Sequence, residues 1–240
     1  MEKPLKKFDR FDWTLTLLLL LFFLTSCLAI YSAQKTGQYV GQNFLYKQIF
    51  WYIVGSGIIG IVMMFDSEQY RKLSWYLYGF GVFLLIFLFF APASIAEERN
   101  GAKSWFFIEP FGSIQPSEFM KVFLILALSS TIYAHHKKHS IKTLQTDFLL
   151  FIKLGFITAL PLGMIMLQPD LGTSLVVLAI FTGIILVSGI TWKIILPLYG
   201  GGAALGAGIL YLVIWKPEIL KEYLGVKTYQ FGRIYAWLDP

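Results

Sequence analysis

From residue 13 to 34 no side chain carries a charge, and this one run constrains the fold more than anything else in the sequence. As a helix it would reach about 30 Å, the thickness of a bilayer's hydrocarbon core. In lipid every backbone N–H and C=O must be satisfied within the segment, so a helix is the only open form such a run can take. The run is longer than a signal-peptide core, and no small-residue cleavage site with a polar mature domain follows it. It therefore reads as an uncleaved first span.

Six more apolar runs follow, at 48–65, 74–93, 118–134, 148–167, 171–188 and 192–215. Each is near the roughly 17–25 residues a bilayer requires. The expected fold is an all-α polytopic integral membrane protein, with seven transmembrane helices in a single membrane domain over 1–240. Composition agrees: 57% of residues are hydrophobic and 14% charged, against about 25% charge in soluble domains.

The basic residues orient the chain. With a cytoplasmic N-terminus, the inner segments hold ten Lys and Arg: Lys3, Lys6, Lys7, Arg10, Arg71, Lys72, Lys137, Lys138, Lys142 and Lys193. The outer loops between spans hold four, at Lys35, Lys47, Arg99 and Lys103. That asymmetry follows the positive-inside rule and makes 94–117 and 216–240 extracellular loops, with a short outer turn at 168–171. The net charge of +6 comes from scattered loop residues rather than a basic helix, so nucleic acid is not an expected partner. The one cysteine, Cys27, lies in the first run, which excludes an intrachain disulfide and a cysteine metal site.

One polar stretch interrupts this pattern, from Asn100 to Lys121. Pro116 occupies a first helical position, Ser117 and Glu118 fill a first turn, and an apolar run follows, so a helix opens there. Glu118 and Lys121 are three apart and share a helical face. At that depth a lone charge would cost roughly 2.5–3.5 kcal/mol, so the two either neutralise each other or serve a substrate. Gln115, Pro116, Ser117 and Glu118 recur in kind as Gln168, Pro169, Asp170 and Leu171. Two readings stand: Glu118 and Asp170 satisfy their own helix ends, or the two N-termini receive an anion such as a diphosphate.

Trp105, Phe106 and Phe107 stand beside Lys103 and Glu109, as interfacial aromatics do. Pro161 and Pro197 are expected to kink their helices, and Gly200, Gly201, Gly202 and Gly206 to allow close packing. His135, His136 and His139 sit with Lys137 and Lys138, which reads as a solvated basic loop rather than a metal site.

The ordered motifs NGAKSW, FGSIQPSEFMK, QPDLGTS and YQFGRIYAWLDP resemble those of the SEDS family of bacterial cell-wall proteins, the RodA/FtsW/SpoVE group, and most of all its elongation-type members. The resemblance covers essentially the whole chain. It implies about ten membrane helices in the full fold, both ends in the cytoplasm, and a large outer loop after the seventh helix, all in the bacterial cytoplasmic membrane. It also implies a peptidoglycan glycosyltransferase that polymerises lipid II during cell elongation and shape maintenance. The implied partners are a class B penicillin-binding protein, which crosslinks the product, and other membrane proteins of the elongation complex.

The family's motif residues fall on Lys103, Trp105, Gln115, Pro116, Ser117, Glu118, Lys121, Gln168, Pro169, Asp170, Gly172 and Thr173, with Arg233 and Asp239 opening the large loop. Polymerisation requires a carboxylate to take the acceptor hydroxyl's proton and cations or helix N-termini to hold the leaving diphosphate. Lys103, Lys121 and Arg233 are the candidate diphosphate ligands, Trp105 a stacking residue, and Glu118 the holder of Lys121. In the family the expected base lies in the loop's continuation, so the chain is expected to be an N-terminal portion. Asp239 and Asp170 are the weaker candidates within it. A divalent cation at the diphosphate is compatible with this chemistry, though no local metal motif requires one. The competing classes are a transporter of the lipid-linked precursor and a catalytically inactive scaffold.

Overall fold

A computed structural model describes residues 12–35, 43–96, 103–108, 112–139 and 141–215. Among these residues seven helices follow in order: α1 (Trp13–Ala33), α2 (Phe44–Val62), α3 (Ser67–Phe90), α4 (Pro116–Lys138), α5 (Leu144–Leu167), α6 (Leu171–Val187) and α7 (Trp192–Trp215). Between α3 and α4 lies a hairpin of β1 (Phe106–Ile108) and β2 (Gly112–Ile114). Six of the described helices are long and apolar enough to cross a membrane. The remaining one, α6, has 17 residues and rises about 25 Å.

Several helices start before their apolar runs do, because polar first turns are invisible to hydropathy. α3 begins at Ser67 rather than 74, where the Asp66 N–H donates to Gln69 Oε1 at 2.9 Å. Glu68 in its first turn lies 3.5 Å from both Arg71 and Lys72. α5 begins at Leu144 rather than 148, because Thr143 and Thr146 bond reciprocally across the helix start as a capping box does. α2 likewise begins at Phe44 rather than 48 and ends at Val62.

The histidines correct the sequence reading. α4 continues to Lys138, so His135 and His136 belong to its last turn rather than to a solvated loop. His135 is buried. The His136 Nε2 pairs with the Ser188 carbonyl at 2.8 Å, so in this contact the ring donates from Nε2. Basic side chains in a last turn also complement the negative end of the helix, which is why the run extends the helix instead of breaking it.

The chain divides into two compact units, Met1–Met120 and Lys121–Pro240. In the first, α1 packs on α2, and Gln48 Nε2 donates to Ser26 Oγ at 2.8 Å. Neither helix buries a residue, as suits helices whose apolar surfaces meet lipid. In the same unit Leu88, Ala91 and Ala96 form a small core under Phe106.

In the second unit α5 packs on α6. Leu150, Leu154 and Ile165 of α5 and Val177 and Ile185 of α6 are fully buried. The rings of Phe151 and Phe181 sit 6.2 Å apart. Tyr199 of α7 donates to the Thr182 carbonyl at 2.5 Å, which fastens α7 to α6.

Candidate functional site

The polar stretch after α3 is built on the hairpin. Its register pairs Phe106 with Ile114, Phe107 with Ser113 and Ile108 with Gly112. Two contacts anchor it to the end of α3: the Phe107 N–H donates to the Ile95 carbonyl at 2.9 Å, and the Phe106 ring lies 5.6 Å from that of Phe87. Gly112 has φ +116°, and a Cβ there would stand 3.9 Å from Trp51 Nε1. Space is available, so the positive φ is what makes glycine the residue for this turn.

Lys103 enters this frame as a structural clasp. Its ammonium donates to the Ala91 carbonyl and, at 3.5 Å, to the Phe89 carbonyl. Both carbonyls belong to the last turn and C-cap of α3, which lack intrahelical donors and carry partial negative charge. Lysine has three N–H donors, so one remains. Beside it Ser104 is buried, its hydroxyl without a partner among the described residues, and Trp105 is 39% exposed.

Directly after β2, Gln115 and Ser117 are buried and Pro116 is fully so. The Glu118 N–H donates to the Gln115 carbonyl at 3.1 Å, which closes the first turn of α4. Glu118 is exposed and Lys121 half-buried. The first unit thus gathers Lys103, Trp105 and Glu118 on the hairpin and its exit.

In the second unit the turn between α5 and α6 is organised by Asp170. As N-cap of α6 it accepts the Thr173 N–H on Oδ1 at 3.0 Å and the Thr173 hydroxyl on Oδ2 at 2.7 Å. Its backbone carbonyl accepts the Ser174 N–H and hydroxyl. Gln168 and Thr173 are buried around it. The apparent repeat of the two Gln-Pro starts breaks here: Asp170 is the cap itself, whereas Glu118 is a first-turn residue of a helix that begins at Pro116. Helix-end satisfaction, one of the two readings open from sequence, accounts for Asp170 geometrically.

Arg233 and Asp239 lie outside the described residues. Among the described residues no group of three or more His, Cys, Asp or Glu is placed to hold a metal ion.

One polar residue escaped the sequence reading. Asp147, in the first turn of α5, is 2% exposed and accepts the Thr191 N–H at 2.9 Å and the Thr191 hydroxyl. Lys142 Nζ lies 3.9 Å from the same oxygen. An acidic residue four positions after a threonine cap was the available signal.

Comparison with known proteins gives a consistent picture. The FtsW/RodA/SpoVE family of cell cycle proteins matches residues 9–240. The peptidoglycan glycosyltransferase RodA of Treponema pallidum is 31% identical over 224 residues, which is 91% of this chain and 47% of that protein. A probable peptidoglycan glycosyltransferase FtsW of Trichlorobacter lovleyi is 27% identical across 98% of this chain and 58% of its own length. The chain therefore spans about half the length of the curated relatives it matches. Among solved structures, the crystal structure of Thermus thermophilus rod shape determining protein RodA aligns with TM-score 0.63 at 26% identity, over 82% of this chain and 60% of that one. A chain from a peptidoglycan synthase complex, studied for its coordination of polymerization and crosslinking, aligns with the same TM-score at 25% identity, over 96% and 60%.

Proposed function

The chain belongs to the FtsW/RodA/SpoVE family of cell cycle proteins, and on that premise we propose that it forms part of a peptidoglycan glycosyltransferase that polymerises lipid II during cell elongation. In this reading the polypeptide crosses the bacterial cytoplasmic membrane repeatedly with its N-terminus in the cytoplasm, as the excess of inner Lys and Arg supports. Its working surface is then the outer face, and its partner a class B penicillin-binding protein.

The observation that carries the reading is the hairpin between α3 and α4. It sets an exposed indole, Trp105, and a clasped lysine, Lys103, immediately before a helix start bearing Glu118 and Lys121. A lipid-linked sugar diphosphate requires this combination of a stacking surface, cationic donors and a boundary position. The family's motifs assign Trp105 to stacking on a sugar ring, Lys103, Lys121 and Arg233 to the diphosphate, and Glu118 to orienting Lys121. Asp170 holds the start of α6 rather than serving as base.

Cell-shape complementation tests this assignment. Glu118→Ala in the complete protein should abolish support of rod shape while membrane insertion is unchanged, and retained function would remove Glu118 from the mechanism.

A further inference from the structure

The second unit contains a cavity remote in sequence from the hairpin and from the Asp170 turn. It has a volume of about 710 Å³ and lies where α5 begins, α6 ends and α7 begins, within the range of roughly 300–1,000 Å³ that small-molecule sites occupy. Its polar wall is formed by Lys142, Lys193, Thr143 and Thr191, and its apolar wall includes Leu186 and Ile195. Trp192, 63% exposed, stands at its edge.

Charge decides what such a cavity can accept. Two lysines line it and no carboxylate does. A neighbouring acid, Asp147, is buried and already receives the N–H and hydroxyl of Thr191, with Lys142 3.9 Å away. Lys142 also donates to the Gly189 carbonyl, so it is held in position. Lys193 is exposed and makes no hydrogen bond or ion pair among the described residues. Two helices, α5 and α7, present their positive N-terminal ends to the cavity through Thr143, Thr191 and Trp192, against the one negative C-terminal end of α6, where Lys142 already meets the Gly189 carbonyl. The anionic requirement is thus paired with an apolar wall and with an aromatic residue of the kind that marks a membrane boundary.

We propose that this cavity binds the phosphodiester headgroup of an anionic glycerophospholipid, with Lys142 and Lys193 at the phosphate and the acyl chains leaving along the apolar wall. Basic pockets between membrane helices on the cytoplasmic side hold anionic headgroups in this way. With the orientation read from the charge asymmetry, the cavity opens to the cytoplasmic leaflet. The site is independent of glycan chemistry, since none of its residues belongs to the outer-face motifs.

Native mass spectrometry of the purified protein in detergent tests the inference with phosphatidylglycerol, phosphatidylcholine and inorganic phosphate as separate probes. One phosphatidylglycerol should be retained in preference to phosphatidylcholine. Lys193→Gln should weaken that retention about fivefold, the effect of one lysine near an anionic surface, and Lys193→Glu should weaken it further. Lys193 makes no hydrogen bond or ion pair among the described residues, so both variants should keep the wild-type thermal midpoint, whereas Lys142→Gln would disturb Asp147. Equal retention of the two lipids, or retention indifferent to Lys193→Glu, overturns the proposal. Displacement of the lipid by millimolar inorganic phosphate assigns the site to free phosphate and overturns the lipid source.

Discussion

The ammonium of Lys103 donates to the carbonyl of Ala91, the C-cap of α3, and thereby ties the strand-forming loop back to the helix it leaves. This contact joins a motif lysine to the architecture of its own loop. Removing it leaves two carbonyls at a helix end without their donor, which costs about 1–3 kcal/mol where such groups are sheltered from water. Lys103→Met, which keeps the stem and removes every donor, should lower the unfolding midpoint of the protein and increase proteolysis between α3 and α4. Lys103→Arg, which keeps a cationic donor, should restore most of both. A Lys103→Met protein with an unaltered cleavage pattern would show that the clasp is dispensable.

Asp170 separates a capping role from a chemical one. Asparagine caps a helix nearly as well as aspartate, whereas alanine costs about 0.5–2 kcal/mol. Asp170→Asn should therefore retain glycan synthesis and stability, and Asp170→Ala should lose stability. If Asp170→Asn is stable yet inactive, the carboxylate takes part in the reaction, and the cap is incidental.

The buried carboxylate of Asp147 holds the starts of α5 and α7 together through Thr191. Asp147→Ala strands the Thr191 N–H and hydroxyl, a loss of about 1–3 kcal/mol for donors left without their acceptor, while the half-exposed Lys142 keeps its charge in water. Unfolding in SDS followed by tryptophan fluorescence should show the shift. A change below about 1 kcal/mol, the worth of an exposed pair, would mean that this cluster is solvated.

Gly189, with φ +78°, carries the chain from α6 towards α7, and a Cβ placed there would be 3.8 Å from His136 Nε2. The space is ordinary, so the expected penalty for Gly189→Ala is conformational, about 1–2 kcal/mol. The SDS midpoint should fall accordingly. Gly189→Asn should fall less, because asparagine tolerates this region.

Much of the membrane architecture was legible because hydrocarbon imposes length and apolarity on every span. α7 coincides with its apolar run at 192–215 and α1 nearly so. The polar first turns of α3 and α5 were not legible as helix, since Glu68, Arg71 and Asp147 read as loop in any hydropathy window. The hairpin escaped because its strands are three residues each, too short for alternation to register, and Phe106 and Phe107 read simply as interfacial aromatics. The family resemblance put Lys103 and Trp105 among the candidate site residues, and the recurring Gln-Pro starts drew attention to Glu118 and Asp170. Neither could tell that Lys103 points at its own helix end, or that Asp170 bonds Thr173, because both contacts depend on where the backbone turns.

Polymerisation of fluorescent lipid II by the complete protein carrying these residues, reconstituted with a class B penicillin-binding protein as the proposed partner, tests the glycosyltransferase reading at its root. A ladder of glycan strands is expected from the wild type and is lost in Glu118→Ala and Trp105→Ala proteins of wild-type stability. Transfer of lipid II across the bilayer with no glycan formed, by a well-folded wild-type protein, would contradict that reading and favour a transporter.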